Sequence, residues 1–145
     1  MDWSRRKVLV TGGASFIGSH LVDALAGRGA DLRVADDLSS GKLENIQGHV
    51  DSGRVELIQA DLREAGAAGK AMEGVSVVFH LAADHGGRGY VDRHQAACST
   101  NLLLDGLVFH AARQAGVERV VYASSGCVYP NGLQTDPSQA VYLSE

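Results

Sequence analysis

Apolar residues along this chain fall into short β-branched runs, separated by longer stretches in which apolar positions recur at helical spacing. Each run ends in small or polar residues, as strands do at their boundaries. The pattern predicts strands at residues 7–11, 32–36, 55–59, 75–81 and 119–124. Strands that alternate with helices are typical of βαβ units. We therefore predict an α/β fold with a parallel sheet and one domain over residues 1–145.

Two helices are predicted in detail. The first spans residues 17–28, with Ile17, Leu21 and Leu25 on the buried face and Gly29 ending it. The second spans residues 94–115 and ends at Gly116, with a buried stripe formed by Leu103, Leu107, Ala111 and Ala115. Further apolar residues widen this stripe and predict a second contact surface: Leu102, Leu104, Val108 and Phe109.

Composition excludes several classes of protein. Hydrophobic residues make up 45% and charged residues 21% of the chain, which is typical of a globular domain. A net charge of -4 argues against nucleic acid as a partner. No membrane span or signal peptide is recognised near residue 1, which predicts a cytoplasmic protein. Cys98 and Cys127 are expected to be thiols.

A glycine-rich segment links the first strand to the first helix: Thr11-Gly12-Gly13-Ala14-Ser15-Phe16-Ile17-Gly18. Glycines allow a tight turn, and the helix amino end offers unpaired N–H groups to a pyrophosphate. Asp36 ends the second strand eighteen residues after Gly18, where a carboxylate accepts ribose hydroxyl bonds and repels the 2′-phosphate of NADP. The pattern predicts NAD as cofactor.

Two acidic positions have alternative interpretations. Asp36 and Asp37 would simply cap the following loop, residues 38–41, if they played no part in cofactor binding. Asp61 is placed either against the adenine or at the N-cap of a helix that begins near Leu62. Histidines 80, 85 and 94 match no metal-binding spacing, so no metal site is predicted.

Residues 8–129 resemble the extended short-chain dehydrogenases/reductases, the family of NAD-dependent sugar-nucleotide epimerases and dehydratases. The resemblance rests on residues 11–18, Asp36, residues 61–62, His80-Leu81-Ala82-Ala83, Asn101 and residues 124–129. It implies a Rossmann-type, doubly wound parallel sheet of strand order 3-2-1-4-5. The residues it assigns to NAD are Gly12, Ser15, Phe16, Ile17, Gly18, Asp36, Asp37, Ser40, Asp61, Leu62, Leu81, Ala82, Ala83 and Asn101. Ser15 replaces a usual glycine, and its hydroxyl is a candidate phosphate ligand.

Within the family, residues 82–87 and 122–130 are similar to those of the GDP-mannose 3,5-epimerase group. The similarity implies that Ser125 bonds the sugar near the oxidised atom and that Cys127 is an acid/base residue. A packing role for Cys127 is the alternative. The substrate-binding residues implied are Asp84, Gly86, Gly87, Arg88 and Ser125. The implied reaction is transient oxidation of the sugar by NAD, inversion by a base, and return of the hydride.

The family's tyrosine with a lysine four residues later is absent from residues 1–145. The resemblance places that pair beyond Glu145 and makes the chain a truncated NAD-binding domain that is inactive alone. The complete protein is expected to be a homodimeric epimerase acting on a nucleotide sugar. The alternatives are a non-catalytic NAD-binding module, or a 4-epimerase, dehydratase or dehydrogenase.

Overall fold

The structure, a computed structural model, describes residues 2–4, 6–86 and 88–125, with the side chain of Arg88 left out. A parallel sheet has the order β3-β2-β1-β4-β5, which confirms the predicted doubly wound topology. Its strands are β1 Lys7–Thr11, β2 Asp31–Asp36, β3 Val55–Gln59, β4 Val77–His80 and β5 Arg119–Tyr122. The predicted bounds of the fourth and fifth strands were too long, because residues 75–76, 81 and 123–124 lie in the connections.

Helices and one short 3₁₀ turn at Leu43–Asn45 connect these strands. They are α1 Phe16–Ala26, α2 Gln47–Asp51, α3 Ala67–Met72, α4 Arg88–Arg93, α5 Gln95–Ser99 and α6 Asn101–Gln114. None of the helices in the described ranges is long and apolar enough to cross a bilayer.

An apolar core covers each face of the sheet, because successive side chains of a strand point to opposite faces. Val8 and Val10 of β1 pack with Val22 and Leu25 of α1 on one face. Leu9 packs on the other face, in a cluster that α3 and α6 complete with Met72, Leu104 and Val108. The alternation in β1 therefore supplies both cores and fixes the plane of the sheet.

The buried face of α1 differs from the predicted one. Ile17 is 68% exposed, whereas Gly18, Val22 and Leu25 are buried. Gly18 has no side chain and lies against the Gly12 backbone. Gly18, Val22 and Leu25 have the spacing i, i+4 and i+7, which places them on one helix face. The buried face therefore begins one residue later than predicted, at Gly18.

The second predicted helix is divided at Thr100 into α5 and α6. Leu104 and Val108 are buried against the sheet, whereas Leu103 of the predicted stripe is 55% exposed and Ala115 is also exposed. Ala111 of the predicted stripe is buried and Leu107 packs against the core, so the buried face is rotated by about one position from the predicted one. Gly116 has φ +70° and follows the last helical residues, as predicted.

Candidate functional site

A cleft of about 490 Å³ opens at the carboxyl ends of the parallel strands. It lies where strand order reverses on either side of β1, the usual place for a ligand in a doubly wound sheet. The residues assigned to NAD that line it are Gly12, Ser15, Asp36, Asp37, Ser40, Asp61, Leu62, Leu81, Ala82 and Ala83. The predicted residues thus converge from connections that lie far apart in the sequence.

Close contacts make glycine necessary in the turn between β1 and α1. Gly12 has φ +67°, and a Cβ there would lie 2.9 Å from the backbone nitrogen of Ala82. A Cβ on Gly18 would overlap the carbonyl oxygen of Gly12. Such contacts involve backbone atoms, which cannot move aside as a flexible side chain can. The turn therefore brings the amino end of α1 directly to the cleft.

The first turn of α1 offers hydrogen-bond donors. Ser15 is the N-cap, but its side chain forms no cap bond. Its hydroxyl instead donates to the Gly12 carbonyl oxygen over 2.6 Å, so this proton is not directed to a phosphate. The N–H groups of Phe16, Ile17 and Gly18 have no acceptor within the helix. The side chains of Phe16 and Ile17 are exposed, and their backbone is the part suited to an anion such as a pyrophosphate.

Asp36 caps its loop and also lines the cleft. Its Oδ2 accepts the N–H of Ala14, and its Oδ1 accepts the N–H of Leu38, both over 2.9 Å. The side chain is largely buried, and Gly41 packs against it. The alternative capping role is therefore real. It is compatible with ribose binding, because each carboxylate oxygen can accept a further bond.

Asp37 caps the same loop from a more exposed position. Its Oδ1 accepts bonds from the N–H and the hydroxyl of Ser39, over 2.9 and 2.6 Å. Asp37 and Ser40 both lie on the cleft wall. Two carboxylates consequently stand at the end of β2, one buried and one facing solvent.

Asp61 is held by Arg63, a residue that the sequence analysis missed. The guanidinium binds both carboxylate oxygens, with Nη2 to Oδ2 at 2.8 Å and Nε to Oδ1 at 2.9 Å. These bonds hold the pKa of Asp61 below its usual value. Helix α3 begins at Ala67 after Gly66, so the alternative N-cap role for Asp61 is wrong. The Asp-x-Arg spacing was the available signal, because an aspartate commonly bonds the backbone two residues on.

A hydrogen-bond network joins β1, β4 and α6 beneath the cleft. The Thr11 hydroxyl oxygen accepts the N–H groups of Leu81 and Ala82, so its proton is donated to Nδ1 of His80 over 2.7 Å. Nε2 of His80 then donates to Asp105 over 3.1 Å. Burial lowers the pKa of His80. Both ring nitrogens bond protein groups, which accounts for this histidine without a metal.

Asn101 fixes the connection after β4. Its Oδ1 accepts the N–H of Asp84 over 2.8 Å, and its Nδ2 donates to the Asp84 carbonyl over 2.9 Å. The Tyr90 hydroxyl donates to Oδ1 of Asp84 over 2.8 Å. Asp84 and Tyr90 line the cleft. Asn101, assigned to the cofactor by resemblance, bonds the loop that forms the wall.

The remaining predicted site residues are placed less completely. A Cβ on Gly86 would lie 2.6 Å from Tyr90, so this glycine permits a close approach. Ser125 lies just past β5 and is exposed. Gly87, Cys127 and the Arg88 side chain fall outside the described residues.

The sequence of this chain matches known proteins over most of its length. The sequence profile of the NAD dependent epimerase/dehydratase family matches residues 8–144. UDP-glucose 4-epimerase from Mycolicibacterium smegmatis is 40% identical over 121 residues, covering 83% of this chain and 39% of the relative. GDP-mannose 3,5-epimerase 1 from Oryza sativa subsp. japonica is 33% identical over 141 residues, covering 96% of this chain and 36% of the relative.

A solved structure shares the fold at similar identity. The crystal structure of Thermus thermophilus UDP-glucose 4-epimerase in complex with NAD superposes with a TM-score of 0.71 and 38% identity. The match covers 83% of this chain and 38% of that chain. The present chain thus spans less than half the length of each of these relatives.

Proposed function

This chain belongs to the NAD dependent epimerase/dehydratase family, and we propose that it forms the NAD-binding part of a sugar-nucleotide epimerase. One observation carries the proposal. The glycine turn before α1 and the carboxylate of Asp36 line one cleft at the point where strand order reverses. Anion-binding N–H groups and a ribose acceptor are the two features that a dinucleotide requires.

In this proposal each part of the cleft binds one part of NAD. The first turn of α1 binds the pyrophosphate through its backbone, and Asp36 accepts bonds from the adenosine ribose. Asp61 and Leu62 lie at the adenine, and the residues after β4 lie towards the nicotinamide. Bound NAD supplies a reversible hydride acceptor for a sugar carbinol. The chain's own residues hold and orient that cofactor.

The cofactor preference gives the first test. We expect calorimetry to show NAD binding about 100-fold more tightly than NADP, because a 2′-phosphate would meet the Asp36 carboxylate. Asp36→Asn should reduce that preference at least tenfold. It should also destabilise the fold by about 1–3 kcal/mol, because one buried N–H loses its acceptor. Asp37→Asn is the matched control at the exposed neighbour and should change the ratio less than about threefold. Equal binding of NAD and NADP by the folded chain would contradict the ribose assignment.

For catalysis, we propose that Ser125 orients the sugar oxygen being oxidised and that Cys127 exchanges a proton at the neighbouring carbon. Support comes from the similarity to GDP-mannose 3,5-epimerase 1 and from the position of Ser125 just past β5. A thiol, with an ordinary pKa of about 8.5, is suited to proton exchange once its site perturbs it. A packing cysteine would exchange no proton with the substrate.

Solvent deuterium exchange tests these two roles in a chimera of this chain with the C-terminal part of the rice relative. Cys127→Ser should slow deuterium entry at the inverted carbon by orders of magnitude while NAD still binds. Ser125→Ala should instead slow the preceding oxidation. Exchange at the parental rate in Cys127→Ser would make the cysteine structural and favour a 4-epimerase, in which no carbon acid is needed.

A second candidate is a module that binds NAD without catalysis. The observation behind it is that, within residues 1–145, none of the lysines, Lys7, Lys42 and Lys70, follows a tyrosine at the fourth position. We expect the 145-residue chain alone to bind NAD but to turn over no nucleotide sugar. Turnover by a monodisperse monomer of this chain would rule out that expectation.

We further propose that the whole protein is a cytoplasmic homodimer. Exposed apolar side chains of α6, Leu102, Leu103 and Phe109, support self-association on that helix. Light scattering should show a dimer for the parental protein and a monomer for Leu102→Glu. An unchanged dimer in that variant would exclude this face as the interface.

A further inference from the structure

Arg63 lines the cleft beside Asp61 and has no part in the function proposed above. Its backbone N–H and its Nε both donate to Oδ1 of Asp61, each over 2.9 Å. Its Nη2 donates to Oδ2 over 2.8 Å. The carboxylate is therefore gripped along one edge by a single residue, in the two-point geometry that Arg alone provides.

The bonds leave the carboxylate with limited capacity. A carboxylate has about four acceptor positions, two on each oxygen. Three N–H groups of Arg63 occupy three of these positions. The backbone N–H and Nε donate to Oδ1, and Nη2 donates to Oδ2. Nε also lies 3.0 Å from Oδ2, a longer contact than its bond to Oδ1. The side chains of Asp61 and Arg63 are 31% and 32% exposed. Asp61, which lines the cleft, thus retains one acceptor position.

The other end of Arg63 is anchored as well. Its Nη1 donates to the Thr100 hydroxyl oxygen over 2.8 Å, and that hydroxyl donates to the Ala97 carbonyl over 2.7 Å. Thr100 joins α5 to α6, and the adjacent Asn101 holds the loop at Asp84. The guanidinium is therefore fixed between the β3 connection and the start of a long helix. This arrangement removes rotamer freedom that an arginine in solvent retains.

We propose that Arg63 is a positioning residue that sets base selectivity, by aiming the remaining acceptor of Asp61 at a dinucleotide base with an exocyclic amino group. The inference rests on the proposed binding of NAD. An amino group donates to this acceptor, whereas an oxo group at the same place puts a second acceptor against it. An oxygen facing an ionised carboxylate costs affinity, because neither group supplies a hydrogen.

Calorimetric affinities for NAD and for its hypoxanthine analogue, which carries oxygen in place of the adenine amino group, test the proposal. The parental chain should prefer NAD at least tenfold. Asp61→Asn should abolish most of that preference, because an amide also donates. Arg63→Lys keeps the positive charge but loses the two-point hydrogen bonding. Its ratio of NAD affinity to analogue affinity should fall towards that of Asp61→Asn. Thr100→Val, which removes one anchor, should give an intermediate ratio.

A double-variant cycle separates positioning from other roles. If Arg63 acts through Asp61, the pair Asp61→Asn with Arg63→Lys should show the same ratio as Asp61→Asn alone. Arg28→Lys, at an exposed arginine in the turn after α1, is the matched control and should leave the ratio unchanged. Thermal melting in each variant checks that the fold is retained.

The outcomes distinguish this inference from the proposed function. Failure of the parental chain to bind NAD would overturn the proposed function and this inference with it. Binding of NAD with an unchanged ratio in Arg63→Lys would overturn the inference alone. Equal losses of affinity for both dinucleotides in Arg63→Lys would also overturn it, since they would indicate a general contact with the ligand.

Discussion

Two parts of the cleft, the turn into α1 and the wall after β4, are built by different means. In the turn from β1 into α1, the chain is fixed by backbone contacts, between Gly12 and Ala82 and between Gly18 and Gly12. On the β4 side, side-chain bonds hold the wall, with Asn101 and Tyr90 both binding Asp84. The helices there, Arg88–Arg93 and Gln95–Ser99, are short. Backbone contacts tolerate little substitution, whereas a side-chain network is rebuilt more easily.

This difference is consistent with one type of cofactor-binding domain serving several reactions. The relatives include a UDP-glucose 4-epimerase and a GDP-mannose 3,5-epimerase, and each aligns over most of this chain. A cofactor common to them requires one geometry at the α1 turn. Loops positioned by a rigid scaffold are where functional variation concentrates. The wall beyond β4 fits that description.

The largest effect is expected from Gly18→Ala, which tests whether the turn into α1 tolerates an added side-chain atom. The new Cβ would overlap the Gly12 carbonyl, so unfolding free energy should fall by about 3 kcal/mol and NAD binding should be lost. Gly106→Ala in α6 is the control, because nothing lies within 4 Å of the added atom. It should stabilise the protein by up to about 1 kcal/mol. Similar urea midpoints for the two variants would show that the turn is not the rigid part.

A smaller effect is expected from Asn101→Ala on the opposite side. Two hydrogen bonds to the Asp84 backbone are lost, which should cost about 1–2 kcal/mol of unfolding free energy. Amide hydrogen exchange should accelerate in residues 84–94, while the Kd for NAD changes less than about threefold. Gln114→Ala, at the exposed end of the same helix, should leave exchange in that segment unchanged. A large loss of NAD affinity would instead support the direct cofactor role implied by resemblance.

The smallest effect concerns the pH dependence of stability, which we expect from His80 in the hydrogen-bond network beneath the cleft. Burial lowers the pKa of His80, so the folded state favours neutral imidazole. Its contribution to stability is therefore present above the unfolded pKa of about 6.5 and is lost as pH falls through the lower folded value. Urea unfolding should show a shallower decline from neutral to acidic pH in His80→Gln than in the parental chain. His110→Gln, exposed on α6, should keep the parental slope, and an identical slope in His80→Gln would contradict this origin.

The sequence located several residues of the cleft, because glycine turns and strand ends depend on local chemistry. Glycine spacing and strand ends predicted a site at residues 11–18 and Asp36, and Gly12, Ser15 and Asp36 do line the cleft. Helix faces were predicted less well. Ile17 and Leu103 were assigned to the core and are exposed, since periodicity gives the width of an apolar face more reliably than its rotation.

The sequence by itself determined the alternation of strands and helices, the parallel topology and the glycine turn, since each follows from residue type and period along the chain. Only the tertiary structure decided that Arg63 grips Asp61 and reaches Thr100, or that Asn101 bonds Asp84. It also decided which lone pairs of Asp36 are already used. The physical reason is that hydrogen-bond partners depend on distances between segments brought together by the sheet, and no local pattern records those distances.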